Sequence, residues 1–205
     1  MVYEFLKLKQ KENDSLFMYK NEKVFSLSKK IGLKITNLKI KNILNFRVNY
    51  RSLSFQNFLR ETIKLDIPKN VGFFKNNRKL VLLALGPNEL LLINFDDKNI
   101  FSKSNYEKLL NNFCNVTDVT DHYHSLNLSG DKLRWILSKG CSVDLNKSVF
   151  RPGSCVQTLL GNSNVIFTCN SDNSITLVCV SSYIEYVLRW LKDAANQEGY
   201  FFLTN

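Results

Sequence analysis

The chain has 205 residues, 44% of them apolar and 15 of them Phe, which suffices for a packed core and excludes a disordered chain. No window holds the ~20 consecutive apolar residues of a bilayer-crossing helix. The net charge of +10 raises nucleic acid, an acidic membrane surface or an acidic protein as partners. However, 21 of the 28 basic residues are lysine and the arginines do not cluster, whereas nucleic-acid sites lean on arginine. A solvated lysine surface is the simpler reading, with neither nucleic acid nor membrane as partner.

The charge is uneven: residues 1–80 carry 18 Lys/Arg against 6 Asp/Glu, and residues 111–205 carry 7 against 8. The opening MVYEFLKLKQKEND mixes apolar residues with Glu4, Glu12 and Asp14. It has neither the apolar stretch of a secretory signal nor the acid-poor character of a transit peptide, so the cytoplasm is expected.

Along the chain, LKITNLKIKNILNFRVNY (33–50) alternates as one or two strands around Asn42. FQNFLRETIKL (55–65) has helical spacing, and Asp66 and Pro68 end it. KLVLLALG (79–86), the turn Gly86-Pro87-Asn88-Glu89 and LLLINF (90–95) read as two strands apolar enough to be buried on both faces. Ser104 with Glu107 reads as a capping box opening a helix.

A strand follows at 122–128, then a helix carrying Leu133, Ile136 and Leu137. Gly140 is expected to close that helix with positive φ. SCVQTLLG (154–161), a turn at Asn162-Ser163-Asn164 and VIFTCN (165–170) form a predicted hairpin, and SITLVCV (174–180) adds a strand. A second capping box, Ser182 with Glu185, precedes an amphipathic helix carrying Ile184, Val187, Leu188 and Leu191. Both halves run strands then helix, which predicts an α+β protein. It is expected as two small lobes of mainly antiparallel sheet, each with helices packed on one face. The N-terminal lobe covers 1–115, and a β-α-β-β-β-α lobe covers 116–205.

The chemistry is sparse. Cys114, Cys141, Cys155, Cys169 and Cys179 are odd in number and lack a CxxC, so all five are expected as free thiols. His122 and His124 would face one way on a strand and offer two metal ligands, but no third histidine exists and their face continues into Leu126 and Leu128. No phosphate-cradling glycine loop is present. Glu89, Asp144 and Asp193 stand alone, better suited to turn and cap hydrogen bonds than to acid–base catalysis. Hence no catalytic, cofactor-binding or metal-ligating residue is assigned.

Four blocks, LALGPNELLLI (83–93), SGDKLRWILSKGCSVDL (129–145), FRPGSCVQTLL (150–160) and SYIEYVLRWLKDAA (182–195), together resemble the gamma subunit of heterotetrameric sarcosine oxidase. The residues carrying the resemblance are Gly86, Pro87, Glu89, Arg134, Lys139, Gly140, Cys141, Asp144, Gly153, Cys155, Gln157 and Thr158, expected in structural or interface roles. Asn88 and Leu90 depart from the family pattern, and so does Asp131.

The resemblance implies a fold similar to the folate-binding domains of glycine-cleavage aminomethyltransferase. It implies a non-catalytic subunit that docks directly on the alpha subunit, beside beta and delta, in an enzyme oxidising sarcosine to glycine. The FAD, FMN, NAD and tetrahydrofolate then belong to alpha, beta and their interface, and zinc to delta. The alternatives are the equivalent subunit of an N-methylglutamate or dimethylglycine dehydrogenase, or a stand-alone folate-binding protein of this fold. The last is disfavoured, because Lys139-Gly140-Cys141 runs on into Ser142-Val143-Asp144-Leu145.

Overall fold

The computed structural model describes residues 21–26, 30–49, 51–77, 79–96, 100–101 and 104–203, together with the backbone alone of Lys103. The charge-mixed segment at the start of the chain lies outside them. Two sheets pack face to face, each covered by helices on its other side. The seven-stranded sheet has the order β1 (Glu22–Val24), β12 (Tyr200–Leu203), β2 (Leu33–Leu38), β8 (Tyr123–Ser129), β11 (Ser174–Val180), β10 (Ser163–Ser171) and β9 (Cys155–Leu160). The five-stranded sheet runs β4 (Phe74–Asn76), β5 (Leu80–Gly86), β6 (Glu89–Asn94), β3 (Asn42–Arg47) and β7 (Asn115–Asp118). Every pairing is antiparallel except β12 with β2.

The apolar run of β5 and β6 explains the layering. On one face Leu82, Leu90 and Leu92 meet α1 (Leu53–Ile63) and α2 (Lys103–Asn112) through Phe55, Leu59 and Leu109. On the other, Leu83, Leu91 and Ile93 join Ile43 and Phe74 against Cys155, Ile166 and Val178 of the larger sheet. These strands are buried on both faces because they form an inner layer. Each fully buried Leu contributes about 1.5–3 kcal/mol of transfer free energy.

The outer face of the larger sheet packs Phe167, Leu177 and Phe202 against α3 (Leu133–Ser138) and α4 (Ile184–Ala195), whose Val187, Leu188 and Leu191 are fully buried. Phe73 bridges to Ser154, so the edges of the two sheets touch at one corner.

Several local expectations give way to packing. The 33–50 segment does form two strands, but β2 and β3 go to different sheets. Sheet membership does not follow chain order: β1 and β2 join the C-terminal strands, while β7 joins the smaller sheet. The hairpin turn is shorter than predicted. Leu160 pairs with Ser163, leaving a two-residue loop with Gly161 at φ +57°.

Neither capping box forms as expected. Ser104 lies inside α2, and α4 begins after a 3₁₀ turn at Ser181–Tyr183 with Tyr183 at its N-cap and no side-chain cap. Gly140 does not adopt positive φ. Its lack of a side chain serves a close approach instead.

Candidate functional site

The motif residues fall into three groups. In the first, Arg134 on α3 works as a staple. Its Nε donates to the Asp172 carbonyl at 2.8 Å, and Nη1 donates to the carbonyls of Leu145 at 2.6 Å and Phe150 at 3.0 Å. Nη2 lies 3.3 Å from Cys169 Sγ. A planar guanidinium is suited to this, because its donors diverge in a fixed plane. Asp144 accepts from the Asn146 amide at 2.8 Å, shaping the same loop as an Asx turn.

The second group joins α3 to α4. Lys139 Nζ donates to the Ala194 carbonyl at 2.6 Å, placing a cation at the C-terminal end of α4, where the helix dipole favours it. A Cβ on Gly140 would lie 2.8 Å from Trp190 Cε2 and closer still to Cζ2. The Gly140 carbonyl accepts from Gly161 N–H at 2.8 Å. Half-buried Cys141 places Sγ 3.7 Å from Thr158 Oγ1.

The third group lines the junction of the sheets. Gly153 has φ +92°, and its carbonyl accepts from the Phe74 amide at 2.9 Å. Cys155 Sγ donates to the Phe73 carbonyl at 3.4 Å, and burial pushes its thiol up to about 12. Gln157 is exposed on β9. Gly86 and Pro87 turn β5 into β6, and Gly86 pairs with Glu89.

Glu89 also sits in a depression of about 830 Å³, lined by Asn45, Arg47, Asp118, Thr120, Asp121, His122 and Tyr123 among others. Glu89 Oε1 accepts from Asn45 Nδ2 at 2.8 Å and pairs with Arg47 at 3.0 Å. Burial raises the Tyr123 phenol, reinforced by the charge of Glu89 and opposed by Arg47. Thr120 Oγ1 donates to Asp118 at 2.6 Å and accepts from the Ile43 amide at 2.9 Å. Apart from Glu89 and His122, sequence reasoning did not single out members of this cluster, because they come from segments far apart in the chain. The Asp118-x-Thr120 turn was the one local signal.

The histidines separate. His122 is exposed in a 3₁₀ turn, edge-on to the Tyr123 ring at 4.7 Å. His124 sits on β8 with Nε2 2.7 Å from Asn37 Oδ1, and burial lowers its pKa to about 4. A turn in place of a strand at 122 breaks the period-2 alignment that would have paired them. Among the described residues, no three His, Cys, Asp or Glu side chains gather to hold a metal. Nor is any helix among them long and apolar enough to cross a membrane.

Residues 51–197 match the sarcosine oxidase, gamma subunit family. The chain belongs to that family. It is 26% identical over 140 residues, 68% of either chain, to the sarcosine oxidase subunit gamma of Corynebacterium sp. (strain P-1). Its fold is similar to a chain of the heterotetrameric sarcosine oxidase from Corynebacterium sp. U-96, solved with pyrrole 2-carboxylate. The TM-score is 0.69 at 22% identity, covering 80% of this chain and 85% of that one. Glycine cleavage system aminomethyltransferase T from Bartonella henselae shares the fold at a TM-score of 0.58 and 10% identity, covering 85% of this chain and 48% of that one. The expected likeness to aminomethyltransferase domains is thus met. In this member of the sarcosine oxidase gamma subunit family, the motif cations Arg134 and Lys139 both donate to main-chain carbonyls.

Proposed function

We propose that this chain is the non-catalytic gamma subunit of a heterotetrameric sarcosine oxidase of the cytoplasm. It docks directly on the alpha subunit and supports assembly of the complex with beta and delta. In that enzyme sarcosine is oxidised to glycine; FAD, FMN, NAD and tetrahydrofolate are held by alpha, beta and their interface, and zinc by delta. No step of that chemistry is assigned to residues of this chain.

The observation that carries the reading is the family match over residues 51–197 joined to the way the motif residues are used. Arg134, Lys139, Gly140, Asp144 and Gly153 shape loops and helix contacts, which suits a scaffold that presents a surface. Of the other motif residues, Gln157 and Thr158 lie on the edge strand β9 with half-buried Cys141 beside them, which suits an interface role, whereas Cys155 is buried at the junction of the sheets and Gly86 and Pro87 turn β5 into β6. The Glu89 depression, with Glu89 held by Asn45 and Arg47, supports a second polar patch of the docking surface. Co-expression tests this. Tagged alpha and beta should bring down the chain at 1:1 with alpha, and leaving the chain out should lower the yield of assembled oxidase. A full yield of active oxidase without the chain contradicts the reading.

A further inference from the structure

Strand β9 ends the seven-stranded sheet. In its ladder with β10, Leu160 pairs with Ser163 across the two-residue turn, Thr158 with Val165 and Val156 with Phe167. The tight turn makes Leu160–Ser163 a hydrogen-bonded pair, so the amides and carbonyls of Leu160, Thr158 and Val156 face β10. Those of Gln157 and Leu159 face outward.

Both ends of this outer edge are closed. Cys155 N–H donates outward to the Gly72 carbonyl at 2.7 Å, and Gly161 N–H donates outward to the Gly140 carbonyl at 2.8 Å. Between those two bonds, the backbone groups of Gln157 and Leu159 have no partner among the described residues.

Edge strands in soluble proteins are normally guarded by charge, proline or a bulge. Among the described residues this edge has no such guard, and Ser154–Asn164 contains no charged residue and no proline. Apolar side chains flank it instead, with Val71 45%, Phe73 47% and Leu159 50% exposed. The charge lies at one end. The antiparallel Phe73–Ser154 bridge sets Lys75 opposite Pro152, next to exposed Arg151 and just beyond the closed end at Cys155.

We propose that this gap accepts an extended strand of the alpha subunit, which completes the sheet at β9. The inference rests on the subunit reading above and names the surface through which it works. The incoming segment is a short strand, uncharged opposite Gln157 and Leu159, with an acidic residue at the end lying toward Arg151 and Lys75. Main-chain pairing supplies the affinity, and the side chains about Leu159 set the register. A second copy of this chain fits less well, because it would bring +10 against +10.

The test uses the co-expressed complex, and Gln157→Pro is its main variant. Proline removes an N–H that β10 does not use, so the chain's own ladder survives while the outward bond is lost. Leu159→Lys adds a guarding charge. Wild-type chain should be retained by tagged alpha. Gln157→Pro, with unchanged melting temperature when purified alone, should bind at least tenfold more weakly, and Leu159→Lys likewise. Lys75→Glu with Arg151→Glu should weaken binding most at low salt.

Hydrogen exchange supplies the second reading. Gln157 and Leu159 amides should slow at least tenfold on complex formation, while the Thr158 amide, already bonded to Val165, changes little. Retention of both variants at wild-type affinity, or no slowing at 157 and 159, overturns this inference and leaves the subunit reading standing. Failure of the wild-type chain to bind alpha overturns the subunit reading, and this inference with it. Protection already present in the isolated chain also contradicts the proposal. It would assign the edge to residues 1–20 if their removal abolishes it, and to a second copy if it rises with concentration.

Discussion

Trp190 lies against Gly140 so closely that a Cβ there would come within 2.8 Å of its indole Cε2. The same ring lies beside Gly161, so one tryptophan of α4 covers both the end of α3 and the turn of the β9–β10 hairpin. Gly140→Val should therefore destabilise the chain by about 1–3 kcal/mol through overpacking. Gly140→Ala should cost nearly as much, because the first methyl already clashes. Chemical denaturation of the two variants checks this. A neutral Gly140→Ala would show that Trp190 moves aside freely.

Arg134 should tolerate no conservative replacement. A lysine offers one compact cation, and it cannot reach the carbonyls of Asp172, Leu145 and Phe150 together. Arg134→Lys and Arg134→Ala should each cost about 2–4 kcal/mol. Both should speed hydrogen exchange in residues 141–154 more than in β10 or β11. Uniform exchange across the chain would count against the staple.

The five thiols should differ in reactivity. Burial pushes Cys114 up to about 11 and Cys155 and Cys179 to about 12, and it raises Cys169, with Arg134 opposing. Cys141 is the half-buried one. A thiol reagent at pH 8 should label Cys141 first and reach five per chain only in denaturant. A pair protected in denaturant without reductant would contradict five free thiols.

Acid should expose His124. Its folded pKa of about 4 lies below the ordinary 6.5, so the unfolded chain binds the proton more readily between those values. Stability is therefore present in full above pH 6.5 and falls as pH drops toward 4, by at most about 3 kcal/mol from this group. Glu22, whose carboxyl is lowered by Lys192 and then Tyr200, loses its own contribution only at more acid pH. His124→Gln should flatten the slope of unfolding free energy against pH across that window. In the assembled enzyme, neither His122→Ala nor His124→Ala should change turnover appreciably. A hundredfold loss with assembly intact would reveal a role for a histidine that this geometry does not provide.

Local pattern carried much of the fold, and distant pairing decided the rest. The doubly apolar runs at 80–94 announced an inner sheet layer, and the stripe Val187, Leu188, Leu191 announced α4. The partition of β2 and β3 between sheets was not legible, because both segments alternate alike. What separates them is the parallel pairing of β2 with β12, more than 160 positions away. The serines read as caps each lie one residue inside a helical segment, Ser104 in α2 and Ser182 in the 3₁₀ turn before α4. Gly140 was legible as a required glycine, but its cause lay in Trp190, fifty positions on. The Glu89 cluster gathers three distant segments, and no spacing rule reaches that far.

Native co-purification tests the central claim most directly. From its source, the chain should elute with an oxidase that turns over sarcosine, at 1:1 with the alpha subunit and at a mass far above its own 23.8 kDa. Elution alone near 23.8 kDa, or with nucleic acid, while a fully active oxidase elutes without it, would contradict the account.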